Sequence, residues 1–199
     1  MSEMRRKMQQ EAGEQQAVAG SSEEATVAQE VAEEVPQLSE MTSVNLADFI
    51  KEQCDQFPRP ENKVMKLTFF PLANDVEVRA DKEQLARVIR ILLTNSVRFS
   101  PSECRVKVFV DSQGDKAVVR ISDNGVGLPE TEEDHSLVFE PLEGEEGEEG
   151  INLHIVKDIV TAHGGTVTAN NNPGGGTVFT ISLPLDHIEI EEAVLMDEE

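Results

Sequence analysis

The sequence lacks the features of a secreted, disulfide-rich or membrane-spanning protein. Its 199 residues include two cysteines, Cys54 and Cys104, which lie far apart and form no CxxC pair that could bind a metal. No apolar run approaches the roughly 20 residues that a membrane-spanning helix needs. The basic start of the chain, MSEMRRKMQQ, is not followed by the apolar stretch of a secretory signal. We therefore expect a cytoplasmic protein with buried, unreactive thiols.

Positive charge is also scarce. The chain has 17 Lys and Arg residues against 39 Asp and Glu residues, a formal net charge of −22. Nucleic acids and anionic membranes bind proteins largely through Lys and Arg that neutralise phosphate. We therefore expect no nucleic-acid partner and no membrane insertion. Hydrophobic residues make up 38% of the chain, which is sufficient for the core of one domain.

The two ends of the chain differ from its middle. Residues 1–43 are rich in Glu, Gln, Ala and Ser and contain no aromatic residue, so they cannot bury enough apolar surface to offset the entropy lost on ordering. We predict an acidic, low-complexity leader that is mostly disordered. A helix that docks on a partner is the alternative, because Ser21 and Glu24 have capping-box spacing and valines follow at every fourth position. Residues 185–199 form an acidic tail.

Between residues 44 and 184, hydrophobic periodicity predicts alternating helices and strands. The predicted helices run from Asn45 to about Phe57, from Asp81 to about Phe99 and over roughly 150–163; the predicted strands are 65–70, 75–79, 104–111, 115–122, 165–170 and 177–183. Short turns between neighbouring strands imply antiparallel pairs. Each helix has one apolar face, so the simplest fold is α/β, with the helices on one face of a mixed sheet. Residues 124–149 are predicted to be a lid, because so long a loop inside a compact domain is usually functional or disordered.

Four short motifs lie at the junctions of these elements. They are LLTNSVRFSP in the second helix, DNGVGLP after a strand, VFEPL within the lid, and GINLHIVKDIVTAHGG followed by PGGGTVFTISLP around the last helix. One DNG alone usually marks a turn, whereas the four motifs in this order are specific. Residues 44–184 resemble the catalytic, ATP-binding domain of sensor histidine kinases, whose superfamily includes DNA gyrase, MutL and the large heat-shock chaperone. The resemblance implies the Bergerat fold, an α+β two-layer sandwich.

The resemblance also implies ATP and Mg²⁺ as cofactors and suggests their binding residues. Asp123 corresponds to the aspartate that accepts a hydrogen bond from the adenine amine, and Thr177 to the threonine that supports it, usually through water. Gly125 and Gly127 lack a Cβ atom, so the backbone can turn sharply and lie close to the base. Asn95 corresponds to the asparagine that coordinates the metal, and an amide oxygen is a ligand that Mg²⁺ accepts beside phosphates.

Three further positions are assigned to the nucleotide. Arg98 takes the place of a lysine of the family and is expected to meet a phosphate. Gly150 and Leu153 open a helix, and free N–H groups at such an end bind anions. Ordinary structural roles remain the alternatives for the site residues: a turn aspartate, a strand threonine, a buried asparagine and a solvated arginine. His154 and His163 are expected to be structural.

The sequence departs from the family pattern at several positions. Ile91 stands where a polar residue usually precedes the asparagine by one helical turn, and where the gyrase branch has a glutamate that activates water. Gyrase-type ATP hydrolysis is therefore not expected. The second glycine box has Glu148 and Asn152 in place of glycines. No Lys or Arg occurs between Arg120 and Lys157, and the glutamates of EGEEGEEG could weaken nucleotide binding by on the order of 1–3 kcal/mol.

The phosphoacceptor histidine is not in the expected place. In the kinases it lies near the start of a helical hairpin that precedes the ATP-binding domain, whereas all four histidines here lie within or after the motifs. Three functions remain open. The first is an ATP-binding module of two-component-type signalling that lacks its own phosphoacceptor hairpin. The second is a degenerate, non-catalytic domain for interaction or regulation. The third is a serine kinase of the anti-sigma-factor type. The first implies a separate phosphoacceptor or response-regulator protein as partner, and no autophosphorylation of the chain alone.

Overall fold

The computed structural model describes residues 38–128, 138–140 and 152–186. Within these ranges the chain forms three α-helices and seven strands. The helices are α1, Leu46–Gln56; α2, Lys82–Arg98; and α3, Leu153–Ala162. The strands are β1, Thr42–Asn45; β2, Val64–Pro71; β3, Glu77–Ala80; β4, Glu103–Gln113; β5, Lys116–Ser122; β6, Thr166–Asn171; and β7, Thr177–Pro184.

The larger of the two sheets is mixed. Its five strands run in the order β2-β4-β5-β7-β6. Strand β2 is parallel to β4, and the other neighbours are antiparallel. The second sheet pairs β1 with β3 in an antiparallel arrangement. A mixed sheet with helices is the architecture that the sequence predicted.

The core lies between the helices and one face of the large sheet. Alternate residues of the central strands are buried, as a half-buried sheet requires. On β4 the buried residues are Cys104, Val106, Val108 and Val110. Helix α2 contributes the apolar stripe of Leu85, Val88, Ile89, Leu92 and Leu93. Each such side chain stabilises the fold by about 1.5–3 kcal/mol when it is fully buried, and the alternation confirms the two-layer sandwich.

Helix α2 begins and ends where local signals place it. The Oδ1 atom of Asp81 accepts hydrogen bonds from the backbone N–H groups of Glu83 and Gln84 at 3.0 and 3.1 Å, which satisfies two donors of the first turn. The helix ends at Arg98, shortly before Pro101. The last turns of α2 therefore carry two of the predicted site residues, Asn95 and Arg98.

One predicted strand pairing is wrong. The segments 65–70 and 75–79 were expected to form an antiparallel pair, but β2 pairs with β4 and β3 pairs with β1. The chain stays against β4 after β2 ends, since the N–H groups of Leu72 and Ala73 both bond to the carbonyl of Val110. The chain therefore does not turn back directly after β2, and β3 does not pair with β2. Strand β1 has four residues, too few to produce a recognisable alternation in the sequence.

The predicted leader and tail are described in part. Ser39 donates hydrogen bonds to Asp81, and β1 begins at Thr42, so residues before 44 also contact the domain. The predictions for residues 1–37, for most of the lid and for 187–199 lie outside the described residues. Within the part of the chain that is described, no helix combines the length and apolarity needed to cross a membrane.

Candidate functional site

Asp123 follows the end of β5 and is only 5% exposed. Its Oδ1 atom accepts hydrogen bonds from the backbone N–H of Gly125 at 2.8 Å and from that of Thr177 at 2.9 Å. Its own N–H donates to the carbonyl of Thr177 at 3.0 Å. No hydrogen bond within the described ranges reaches Oδ2. The carboxylate is thus fixed in orientation and has one oxygen left to accept a bond from a ligand.

The backbone around Asp123 is tightly packed. A Cβ atom at Gly125 would lie 2.8 Å from the carbonyl oxygen of Phe99, and the neighbouring Val126 N–H donates to that same oxygen at 3.2 Å. Gly176 has a φ of +93°, and its Cβ would lie 2.7 Å from Asp123 Oδ1. A side chain at Gly125 or Gly176 would therefore displace the carboxylate or the backbone that holds it.

The segment 123–127, called the glycine loop below, is open on its other side. Val126 is 84% exposed. Gly127 has a φ of +78°, which a glycine adopts without strain, and a Cβ there would lie 2.7 Å from Asn171 Oδ1. Asn171 exchanges two hydrogen bonds with the backbone of Leu128, at 2.6 and 3.1 Å, and so fixes the exit of the loop. The result is a rigid backbone with an accessible outer surface.

Thr177 lies beside Asp123 and contacts it through its main chain. The role of its side chain beside a nucleotide stays a prediction. Both hydrogen bonds recorded between the two residues use the backbone N–H or C=O of Thr177. Thr177 is 7% exposed and is the first residue of β7. The family resemblance suggested a water-mediated contact from the hydroxyl, whereas the direct contact arises because β7 begins beside the end of β5.

Asn95 is the most unusual polar group of the site. It is 2% exposed, and neither Oδ1 nor Nδ2 has a hydrogen-bond partner within the described ranges. A buried polar atom without a partner costs about 1–3 kcal/mol. Native proteins rarely keep such a group without a reason, and the described ranges supply no partner for either polar atom of the Asn95 side chain.

Arg98 and Phe99 end helix α2 next to the glycine loop. The guanidinium carbon of Arg98 lies 5.6 Å from the centroid of the Phe99 ring, a cation–π distance. The Phe99 N–H donates to the Asn95 carbonyl at 3.1 Å, and the Phe99 carbonyl accepts from Val126. This turn therefore connects the helix that carries Asn95 with the loop that follows Asp123.

The second glycine box is described only from residue 152 onward. Leu153 is buried in the first turn of α3 as part of the hydrophobic core. Asn152 occupies the N-cap position without a hydrogen bond from its side chain to the described backbone. Gly150 and Glu148 lie outside the described residues. The structure thus places Leu153 in the core. The anion site predicted at the start of this helix stays a prediction.

A short part of the predicted lid is described. Phe139, the aromatic residue of VFEPL, is buried in the core. The neighbouring Glu140 forms a 2.7 Å ion pair with Lys157 of α3, with both side chains about half exposed. Exposed pairs of this kind contribute little to stability.

Ile91, which stands where the family usually has a polar residue, packs against the hydrophobic core. Its apolar side chain therefore fits its surroundings.

Sequence reasoning did not identify Gly176 and Asn171 as parts of the site. Both residues lie in the run NNNPGGG at the junction of β6 and β7. Both residues act through contacts with the glycine loop, which is distant in the sequence. A turn with several consecutive glycines beside a candidate aspartate can indicate close backbone packing.

Residues 80–187 match the family model described as histidine kinase-, DNA gyrase B-, and HSP90-like ATPase. This chain belongs to that family. The matched range includes α2, the glycine loop, α3 and β7, which are the elements that carry the candidate site. The resemblance seen in the motifs is thereby confirmed.

Relatives of this ATPase domain are sensor kinases. The chain is 29% identical over 151 residues to the alginate biosynthesis sensor protein KinB of Pseudomonas aeruginosa, covering 73% of this chain and 25% of KinB. It is 34% identical over 119 residues to the circadian input-output histidine kinase CikA of Synechococcus elongatus, covering 57% of this chain and 16% of CikA. The match thus spans a quarter or less of these relatives.

A solved structure gives the same fold. The nucleotide-free catalytic domain of histidine kinase ThkA matches with a TM-score of 0.62 and 25% identity, covering 73% of this chain and 96% of that domain. ThkA in complex with the response regulator protein TrrA matches with a TM-score of 0.61 and 24% identity, covering 73% and 42%. Almost the whole ThkA domain therefore has a counterpart in this chain.

Proposed function

We propose that this chain is an ATP-binding, histidine-kinase-type module of two-component signalling that acts on a phosphoacceptor in another protein. Asp123 carries the proposal. It is a buried carboxylate with Oδ1 held by two backbone N–H groups and Oδ2 without a partner in the described part of the chain. Such an oxygen recognises a hydrogen-bond donor, and the exocyclic amine of adenine is one. The missing Cβ atoms of Gly125 and Gly127 let the loop pack closely on Phe99 and Asn171, and its opposite side, where Val126 is exposed, is accessible to a ligand.

Asn95 supports Mg²⁺ as the second cofactor. Its amide oxygen is neutral, buried and without a partner in the described ranges, and Mg²⁺ is bound by oxygen ligands beside phosphates. Oxygens of the nucleotide and of water are proposed to complete the coordination of the ion. When bound, the ion neutralises phosphate charge and polarises the phosphoryl group. Arg98, three residues along the same helix, is a cation suited to phosphate.

His163 is not available as a phosphoacceptor within the described part of this chain. Its ring is buried, and both nitrogens lie within hydrogen-bond distance of backbone groups. It therefore offers no nitrogen for attack on a phosphoryl group. His154 is half-buried on α3, and His135 and His187 lie outside the described residues. ThkA has been solved with a response regulator, and a partner of that type is part of this proposal.

The degenerate regulatory domain is retained as a second candidate function because of the acidic lid sequence. By the resemblance to the kinases, the glutamates of EGEEGEEG occupy sequence positions that precede the phosphate-binding helix, and Glu148 replaces a glycine of the second box. Both features oppose a triphosphate by charge. A domain that binds no nucleotide would use the same fold for contact with a partner.

Calorimetric titration with ADP and GDP, with and without Mg²⁺, tests the proposal. We expect ADP to bind at least about tenfold more tightly than GDP, because guanine has a carbonyl where adenine has its amine and Asp123 cannot donate to it. The Asp123→Ala variant should lose ADP binding, and Asn95→Ala should lose the gain produced by Mg²⁺. Absence of binding by any adenine nucleotide would overturn the proposal and leave the degenerate domain.

The phosphoacceptor part of the proposal has its own test. The purified chain is incubated with γ-labelled ATP, and the protein is examined for acid-labile, alkali-stable label. We expect none, because the acceptor is proposed to lie in the partner protein and the buried ring of His163 is committed to backbone groups. Histidine phosphorylation on this chain would show that it carries its own acceptor.

A further inference from the structure

Lys63 lies immediately before β2 and binds the end of helix α2. Its ammonium nitrogen donates to the carbonyl oxygens of Val97 at 2.6 Å, Arg98 at 3.0 Å and Ser100 at 2.6 Å. The last four carbonyls of a helix have no partner inside the helix. An ammonium group has three donors, and all three are used here. Its charge also complements the negative end of the helix dipole.

The turn that Lys63 holds connects two parts of the candidate site. It contains Arg98 and Phe99. The Phe99 carbonyl accepts the hydrogen bond from Val126 in the glycine loop at 3.2 Å, and a Cβ at Gly125 would lie 2.8 Å from the same oxygen. The orientation of the Phe99 peptide thus determines whether the glycine loop can lie against α2. That orientation is fixed on both sides by carbonyls bonded to Lys63, those of Arg98 and Ser100.

We propose that Lys63 is a positioning residue for nucleotide binding, and this inference rests on the function proposed above. Lys63 does not need to contact the nucleotide. Its three hydrogen bonds order the last turn of α2, which presents Arg98 and keeps the glycine loop in place. Without them the turn frays at the carbonyls that Lys63 satisfies. Affinity then falls most for a ligand with phosphates, because Arg98 is in the loosened turn.

The test compares four proteins: the wild-type chain, Lys63→Met, Lys63→Arg and Lys66→Met. Methionine keeps the length of the side chain but removes all donors, and arginine keeps the charge and several donors. Lys66 is exposed on β2, so its replacement removes one positive charge without touching α2. ADP and adenosine are titrated by calorimetry at a temperature at which circular dichroism shows every variant to be folded. Amide hydrogen exchange is measured at Ser100 and Val126 without nucleotide.

We expect Lys63→Met to weaken ADP binding about tenfold and adenosine binding by less than about threefold. The exchange of the Val126 amide should accelerate in this variant. Lys63→Arg and Lys66→Met should stay within about threefold of the wild type for both ligands. The proposal would be overturned if Lys63→Met only lowered the melting temperature and left ADP affinity and Val126 exchange unchanged in the folded protein. Lys63 would then be a helix cap without a role in binding.

The two proposals fail in distinguishable ways. If the wild-type chain binds neither ADP nor adenosine, the proposed function is wrong, and the positioning role is wrong with it, whatever the exchange data show. If the wild type binds ADP and Lys63→Met binds it equally well, the positioning role alone is wrong. An equal loss for ADP and adenosine would also count against it, because the inference assigns the larger effect to the turn with Arg98.

Discussion

The Nε2 atom of His163 accepts a hydrogen bond from the backbone N–H of Asp81 at 3.0 Å, across 82 positions of sequence. Nδ1 of the same ring lies 2.8 Å from the Ile159 carbonyl oxygen. An N–H group can only donate and a carbonyl only accept, so the neutral tautomer with its proton on Nδ1 satisfies both contacts. The ring thereby joins the C-terminal end of α3 to the N-cap residue of α2.

Replacing His163 should therefore destabilise the domain more than its size suggests. His163→Phe preserves a buried ring but leaves the Asp81 N–H without its acceptor, while the Ile159 carbonyl keeps the hydrogen bond from the backbone N–H of residue 163. We expect the free energy of unfolding to fall by about 1–3 kcal/mol, the cost of one unsatisfied buried group. Urea denaturation measures the change, with His154→Phe on the same helix as control. Equal effects of the two variants would contradict the bridging role.

Asp81 also predicts how stability depends on pH. Burial raises the pKa of this carboxyl, but hydrogen bonds from the Ser39 and Gln84 backbone, the Ser39 hydroxyl and the Glu83 backbone outweigh it and hold the pKa below its ordinary value of 3.8. A carboxyl with a lowered pKa in the folded state stabilises above its unfolded pKa and loses that contribution as the pH falls through the folded pKa.

We therefore expect Asp81→Asn to be less stable than the wild type by about 1 kcal/mol at pH 7, and the difference to shrink below about pH 4. Urea denaturation from pH 7 to pH 2.5 measures this. Asp158→Asn, at an exposed position of α3, is the control for the loss of one negative charge. A difference between Asp81→Asn and the wild type that stays constant over this range would refute the linkage.

Asn95 should oppose stability in the absence of a ligand. Asn95→Leu keeps a similar volume and removes two buried atoms that have no partner in the described ranges. We expect it to raise the free energy of unfolding by about 1–3 kcal/mol and to abolish the effect of Mg²⁺ on nucleotide binding. Asn171→Leu, which removes two hydrogen bonds to Leu128, should instead destabilise. A destabilised Asn95→Leu protein would indicate that this asparagine has a structural partner.

Both thiols should be unreactive in the native protein. Cys54 and Cys104 are buried and free. Burial raises the pKa of the Cys54 thiol to about 11, with a further increase from Asp55 and a smaller opposing effect of Arg59. At pH 8 about one Cys54 side chain in a thousand would then be a thiolate, which is the reactive form. Labelling with a chromogenic disulfide should be slow in buffer and should reach two thiols per chain in urea; rapid native labelling would contradict this burial.

The helices and most strands could be predicted because their signals are local. The side chains of Asp81 and Asn45 cap α2 and α1, and each lies next to the helix that it caps. The pairing of β2 with β4 could not be predicted, because sequential neighbours usually pair and the chain instead continues along β4 after Pro71. Strand β1 is defined only by its partner β3, which is a non-local contact.

In the candidate site, too, the residues that lie in local motifs could be predicted and those that act through non-local contacts could not. Asp123, Gly125 and Gly127 lie in one short motif, and Thr177 lies in another, so a resemblance could identify them. Gly176 and Lys63 act on residues distant in sequence, and only the folded chain shows those contacts. The burial of Asn95 without a partner also required the structure, since a sequence does not show which polar atoms remain unsatisfied.

The glutamates of the acidic lid lie outside the described residues, and their effect on nucleotide binding is predicted from the sequence. Four of them are replaced by Gln, a change that removes four charges and nearly preserves shape: Glu145, Glu146, Glu148 and Glu149. Each added phosphate should meet repulsion in the wild type. The variant should therefore bind ATP more tightly, by about 1–3 kcal/mol at low ionic strength and by less at high salt, where screening weakens the repulsion.

Titrations of both proteins with ATP, ADP and adenosine at two salt concentrations check this prediction. The gain should be largest for ATP, smaller for ADP and absent for adenosine, because repulsion scales with the charge of the ligand. An equal gain for all three ligands would indicate that the glutamines change the folding or ordering of the segment. If no ligand binds the variant more tightly, the glutamates do not act on the phosphates. The acidic lid would then no longer support the degenerate-domain hypothesis.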